Sequence, residues 1–183
     1  MNKIDHSYFG ALNTDAISHD YADVVWHKEF SLTRDNVQAK LWATSDKPMD
    51  AHRLDAFASR LKHLSELDMT ARQQIGRYLE ADRDFIEFHL IEIPEQIPHH
   101  DWSFIKTLMP FGDVTTVNIA DFVLAMRLQN ISLYVCQPDL WLSDGVEEYT
   151  IVMDYVFSPE VSDQILAVKF TETGEFVTVS WES

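Results

Sequence analysis

Residues 164–181 have the sequence QILAVKFTETGEFVTVSW, in which two runs rich in Val, Phe and Ile flank Thr173-Gly174. β-Branched and aromatic residues favour strands, and a polar residue followed by glycine is typical of the turn between them. The sequence therefore predicts a C-terminal hairpin with strands over 164–171 and 175–181. Similar runs predict two earlier strands, over 131–137 and 148–157.

A second hairpin is predicted near the other end of the chain. Residues 23–32 and 37–44 alternate between apolar and polar side chains, and Thr33-Arg34-Asp35-Asn36 between them is rich in turn formers. On the first of these strands the expected apolar face, which Lys28 interrupts, consists of Val24, Trp26, Phe30 and Leu32.

Apolar residues at helical spacing predict three helices between the two groups of strands. The first is expected from Pro48 to about Glu66, the second from a cap at Asp68 or Thr70 to Pro94, and the third from a cap at Asn118 to about Leu128. This order predicts one domain, residues 1–183, with an α+β fold. Its mostly antiparallel sheet, formed by the N-terminal hairpin plus the C-terminal strands, packs against about three central helices.

The chain has a formal net charge of -16, and the excess of negative charge is larger in its second half, where basic residues are few. Residues 1–93 carry 11 basic and 16 acidic side chains, whereas residues 94–183 carry 3 and 14, so the halves have net charges of -5 and -11. From Tyr134 onward only Lys169 opposes ten carboxylates. Such a field repels phosphate and suits a basic protein, so the sequence argues against nucleic-acid binding.

The sequence contains no apolar run of the length that a signal peptide or a membrane helix needs. Its single cysteine, Cys136, cannot form an internal disulfide or a cysteine-based zinc site. We therefore expect a cytoplasmic protein that does not bind membranes.

A loop between two predicted strands is the candidate partner-binding site. Trp141 lies there among two leucines and four carboxylates, Asp139, Asp144, Glu147 and Glu148. A tryptophan inside an acidic rim suits an interface with a basic protein. The alternative, slightly favoured by the composition, is that Trp141 packs into the core and the acids keep the loop soluble.

The most ligand-like cluster in the sequence is His99-His100-Asp101, with His89 ten residues upstream. Imidazole and carboxylate groups can hold zinc, but adjacent side chains in an extended segment point in opposite directions. The spacing favours a solvated loop over a metal site. None of the five glycines lies in a phosphate-binding motif, so no cofactor is expected.

Asp154 lies inside a predicted strand, on the same face as Val152 and Val156. It is either a polar group on an exposed face, which we favour, or a buried functional carboxylate. An enzyme, if the chain is one, would use Asp154 together with His99, His100 and Asp101.

Residues 153–183, together with Tyr8-Phe9-Gly10, resemble a family of small bacterial proteins of unknown function, some of which are encoded beside toxin genes as immunity proteins. The resemblance covers strands, the turn at Gly174 and the terminal Glu182-Ser183, and it implies no catalytic residue.

Three functions remain open from the sequence. The first is a non-enzymatic acidic module, of immunity type, that binds a basic protein. The second is a small hydrolase-like or metal-dependent enzyme with an unrecognised site. The third is a structural protein that associates with copies of itself, so a homo-oligomer is also expected as an alternative.

Overall fold

The computed structural model describes residues 3–15, 17–18, 21–32, 35–45, 48–135 and 149–183. Cys136 and the candidate partner loop, with Trp141, Asp139, Asp144, Glu147 and Glu148, lie outside the described residues. Within the described residues, no helix is long and apolar enough to span a membrane.

A six-stranded sheet contains both of the predicted hairpins. Its strands follow one another in chain order, and every neighbouring pair is antiparallel except β4 and β5, which are parallel. The strands are β3 (Asp23–Ser31), β4 (Asn36–Ala43), β5 (Arg127–Tyr134), β6 (Ile151–Val156), β7 (Ile165–Phe170) and β8 (Phe176–Glu182). The predicted α+β fold with a mostly antiparallel sheet is confirmed.

The helical part of the chain connects β4 to β5. A long crossover is what a parallel pair requires, because a tight turn can join only antiparallel strands. The helical elements are α1 (Ala51–Lys62), α2 (Leu64–Ala81), α3 (Asp84–Glu87), a π-helical turn (Phe88–Glu92), α4 (Ile93–Gln96), α5 (Ile105–Leu108), a 3₁₀ turn (Val114–Thr116) and α6 (Ile119–Ala125).

The predicted boundary between the first two helices was wrong. Only His63 separates α1 from α2, and Asp68 lies inside α2, where it pairs with Arg72 instead of capping a helix. The long second helix breaks at Asp82, whose backbone is extended and whose side chain accepts a hydrogen bond from the Asp84 amide at 2.9 Å. Pro94 does not end the helical segment, because it lies in the first turn of α4, where its missing N–H costs nothing.

The predicted cap of the last helix is confirmed, but the predicted end of that helix was wrong. The Asn118 side chain accepts hydrogen bonds from the amides of Ala120 and Asp121, at 2.9 and 3.3 Å. The helix ends at Ala125, because Met126 has an extended backbone and β5 begins at Arg127.

A two-stranded hairpin near the start was not predicted. β1 (Lys3–His6) and β2 (Gly10–Asn13) are antiparallel and bring Phe9 and Leu12 into the core. A second departure concerns β3, where a register shift between Val24 and Trp26 leaves Val24 exposed instead of on the apolar face.

The core lies between the helices and one face of the sheet. Met153 and Tyr155 of β6 are fully buried there, together with Leu166 and Val168 of β7. Because strand side chains alternate, Asp154 and Lys169 lie on the opposite face, which we call the outer face.

Candidate binding groove and outer-face cavity

A groove of about 670 Å³ runs between α2 and α6, and we call it the α2–α6 groove. The ends of β3 and β4 close it on one side. Apolar atoms form most of the lining surface, and three carboxylates and one guanidinium are among the lining residues: Leu32, Asp35, Ser65, Asp68, Met69, Arg72, Gln73, Gly76, Glu80, Ile119, Ala120, Val123 and Leu124.

Arg72 organises the floor of the groove. Its Nε donates to both carboxylate oxygens of Asp68 at 3.1 Å. Its Nη1 donates to the carbonyl oxygens of Val123 and Met126 at 2.9 and 3.0 Å, which satisfies the C-terminal end of α6. Arg72 therefore joins the two helices that form the groove, and its donors are largely used for that purpose.

Tyr155 supports the same network from the sheet. Its hydroxyl donates to Asp68 Oδ1 at 2.6 Å, and its ring lies 5.2 Å from the Arg72 guanidinium carbon. Burial, and next the charge of Asp68, raise the pKa of Tyr155 well above its ordinary value, so the phenol stays protonated and acts as a donor. Asp68 is thus fully engaged within the fold.

Asp35 differs from Asp68, because one of its carboxylate oxygens accepts no hydrogen bond from the part of the chain that the structure describes. Oδ2 accepts from the Leu128 amide at 3.1 Å and lies 3.5 Å from Arg72 Nη2. Oδ1 has no hydrogen-bond partner among the described residues, although the Asp35 side chain is only 7% exposed. A buried carboxylate oxygen without a donor is costly.

Two features of the groove favour the approach of another chain. Met69 and Leu124 on its rim are each 58% exposed, which is high for large apolar side chains. Gly76 lies in the interior of α2, and a Cβ built there would meet no atom within 4 Å. Packing inside the protein therefore does not require glycine at this position.

Asp154 lies in a second concavity, a cavity of about 600 Å³ on the outer face. Burial, and next the charge of Glu182, raise the pKa of Asp154 to about 6, against the smaller effects of a hydrogen bond from Asn130 and of Lys169. The favoured expectation, a polar group on an exposed face, was wrong: Asp154 is half-buried, and its strand neighbours on that face, Val152 and Val156, are buried.

The His99-His100-Asp101 cluster is in the connection between α4 and α5. Asp101 is exposed and accepts a hydrogen bond from the Ser103 amide at 2.9 Å, which lowers the pKa of its carboxyl. None of these three residues lines the outer-face cavity. Within the described parts of the chain, no three His, Cys, Asp or Glu side chains are placed to hold a metal ion.

Comparisons of the chain with protein-family models, with curated proteins and with solved structures find no match. The resemblance to small bacterial proteins stays a prediction.

Three groove residues were not singled out from the sequence. Asp35 was assigned only to a turn, Arg72 lay within an ordinary amphipathic helix, and Gly76 matched no glycine motif. The one available signal was Gly76 itself, since glycine in a helix interior costs about 1 kcal/mol relative to alanine.

Proposed function

We propose that this protein is a protein-binding module whose α2–α6 groove accepts a segment of a basic partner, with one arginine or lysine side chain paired to Asp35. The observation that carries the proposal is Asp35 Oδ1, a buried acceptor without a partner among the described residues, in a groove with apolar walls. Pockets of this kind, mostly apolar with a few polar groups, are typical of binding sites.

The charge of the groove supports a cationic anchor. Among the described residues that line it, the carboxylates of Asp35, Asp68 and Glu80 are opposed by one cation, Arg72. Because Arg72 is already bonded to Asp68 and to two carbonyls, a positive side chain from a partner would meet an excess of negative charge. The chain as a whole, at -16, would also attract a basic protein before contact and so raise the association rate.

Gly76 supports a close approach of the partner's backbone. An interior helical glycine lowers the stability of the helix, and no neighbouring atom would be displaced by a Cβ at this position. The missing side chain at Gly76 would leave space for the main chain of a bound segment, and Met69 and Leu124 would contact its apolar side chains.

A second copy of this chain suits the groove less well than a basic partner does. Two molecules with a net charge of -16 repel each other, and docking would bring the carboxylates of one groove near the acidic surface of the other. Self-association is therefore an outcome that the experiment must separate from partner binding.

An immunity-type protein that neutralises a basic toxin would be one protein of this kind, and the resemblance of residues 153–183 is what suggests it. The interface predicted at Trp141, which lies outside the described residues, would require the same class of partner.

A peptide-display selection tests the proposal. A library of random peptides of about 12 residues is selected on the unmodified chain and counter-selected on Gly76→Leu, in which the new side chain fills the groove. We expect enriched peptides to carry an arginine or lysine flanked by apolar residues. We also expect Asp35→Asn, which preserves the shape of the side chain, to weaken binding at least about tenfold.

Thr70→Leu is the matched control, because it places the same side chain on α2 outside the groove and should leave peptide affinity unchanged. Enriched peptides without basic residues, or equal binding to Gly76→Leu and the unmodified protein, would overturn the proposal. A dimer in light scattering that Gly76→Leu dissociates would assign the groove to a second copy instead.

A further inference from the structure

The outer-face cavity is a separate concavity, on the opposite side of the sheet from the helices. Its volume of about 600 Å³ lies within the roughly 300–1,000 Å³ that small-molecule sites occupy. Its lining combines ionisable, aromatic and hydroxyl side chains: Ser132, Tyr134, Tyr149, Val152, Asp154, Ile165, Lys169, Glu182 and Ser183.

One ammonium group is already bound in this cavity by the protein itself. Lys169 Nζ donates to Glu182 Oε1 at 2.6 Å and lies 4.9 Å from the centre of the Tyr149 ring. Ser180 Oγ donates to the same carboxylate oxygen at 2.6 Å. A carboxylate together with an aromatic ring is a favourable environment for a cation, and here it fixes the Lys169 side chain.

Asp154 and Tyr134 provide a second carboxylate and a second ring in the same cavity. Tyr134 stacks on Trp42 at a centroid distance of 6.2 Å, and Trp42 Nε1 donates to Ser132 Oγ at 3.2 Å. The hydrogen bond fixes the Trp42 ring, and stacking on Trp42 holds the Tyr134 ring in place. Among the described residues Asp154 forms no ion pair within 4 Å, since the nearby Lys169 is bonded to Glu182.

The burial of Asp154 is only weakly offset within the protein. Desolvation and Glu182 disfavour its charge, and the hydrogen bond from Asn130 with the more distant Lys169 and Lys40 does not compensate, so the pKa of Asp154 is raised to about 6. A cation next to the carboxylate would reverse this balance, because an opposite charge favours the ionised form.

We propose that the outer-face cavity binds a small organic cation, an alkylammonium or a guanidinium, with Asp154 as its counter-ion and Tyr134 as its aromatic contact. This site is independent of the α2–α6 groove, because the two concavities share no lining residue.

Binding of the cation should depend on pH through Asp154. The charged groups that act on it are Lys40 from β4, Lys169 from β7 and Glu182 from β8, and the titratable side chains of Tyr134 from β5 and of Tyr149 line the same cavity. Since the ligand needs the ionised carboxylate, affinity should fall as the pH drops through about 6.

Isothermal titration calorimetry of the full chain tests the proposal with three probes: propylguanidinium, propylammonium and the neutral isostere propylurea. At about pH 7.5 we expect the two cations to bind with dissociation constants near about 1 mM, as small ligands of this size do, and propylurea at least about tenfold more weakly. Asp154→Asn should weaken cation binding at least about tenfold, and so should lowering the pH to about 5.

Asp163→Asn is the matched control, because Asp163 is an exposed carboxylate on the loop before β7 and does not line the cavity. The two variants change the net charge equally, so a general electrostatic effect would weaken binding in both. If Asp154→Asn fails to fold by circular dichroism, Asp154→Ser replaces it.

Equal binding of propylurea, or unchanged affinity in a folded Asp154 variant, would overturn the proposal. Nα-acetylarginine N-methylamide forms a further arm of the experiment. If it binds more than about tenfold more tightly than propylguanidinium, the cation comes from a protein side chain and the small-molecule assignment is wrong.

Discussion

The environment of Asp154 in the folded protein disfavours the ionised form of its carboxyl group. Its pKa is about 6 in the folded chain, compared with an ordinary value of 3.8. The folded state therefore holds the proton more tightly than the unfolded state does. The contribution of the Asp154 carboxyl to the free energy of unfolding is fully present below pH 3.8, where the group is protonated in both states. It is lost as the pH rises through about 6.

Replacing Asp154 by asparagine should stabilise the protein at neutral pH. The expected gain in the free energy of unfolding is on the order of 2 kcal/mol at about pH 7.5, because asparagine carries no charge that folding must desolvate. Near pH 4 the gain should disappear. Urea denaturation at the two pH values measures both, and a gain that does not change with pH would show that desolvation of the charge is not the cause.

The burial and the contacts of single residues were the properties that sequence analysis predicted least well. Asp154 was placed on the correct face, because alternation along a strand follows from the backbone. Its burial could not be predicted, since it depends on neighbours in β5, β7 and β8. The same holds for Asp35, which contacts Arg72 and the Leu128 amide, 37 and 93 positions away in the sequence.

The secondary-structure elements were predicted better than their ends. Alternation identified the two N-terminal strands of the main sheet, β-branched and aromatic runs identified the four later ones, and helical spacing identified the apolar face of α2. The break at Asp82 was missed because the apolar pattern continues through it: Leu79, Phe85 and Ile86 are all buried. The β1–β2 hairpin has strands of four residues, too short for a pattern to emerge.

Gly76→Ala should stabilise α2 by about 0.5–1 kcal/mol, because alanine loses less backbone entropy and its methyl group meets no atom within 4 Å. Thermal or urea unfolding measures the gain. The same substitution at Gly174 should do the opposite, since that turn residue has φ +81° and its Cβ would lie 3.0 Å from Arg60 Cδ. Destabilisation by Gly76→Ala would mean that glycine there serves the fold instead of a bound segment.

At the scale of the whole molecule, excess negative charge dominates the electrostatics. The chain has thirty carboxylates and fourteen basic side chains. Several of the basic side chains form ion pairs within the fold, as in Arg53–Glu172 and Lys169–Glu182. Partly buried pairs such as these are screened little by salt, whereas repulsion between exposed carboxylates is screened strongly.

The melting temperature should therefore rise when NaCl is increased from about 10 mM to about 300 mM, because the Debye length falls from about 30 Å to below 10 Å. Differential scanning calorimetry at about pH 7.5 measures the shift. A melting temperature that falls with salt would indicate that ion pairs outweigh repulsion in this chain.

The parallel pairing of β4 with β5 has a consequence for the order of events during synthesis. β4 ends at Ala43 and its partner begins at Arg127, so the N-terminal hairpin leaves the ribosome well before the strand that completes its sheet. Until then the backbone of β4 presents unpaired donors and acceptors along an open edge, which is the surface on which chains aggregate. Nascent chains truncated before Arg127 should therefore depend on chaperones, and those that extend past β5 should depend on them less.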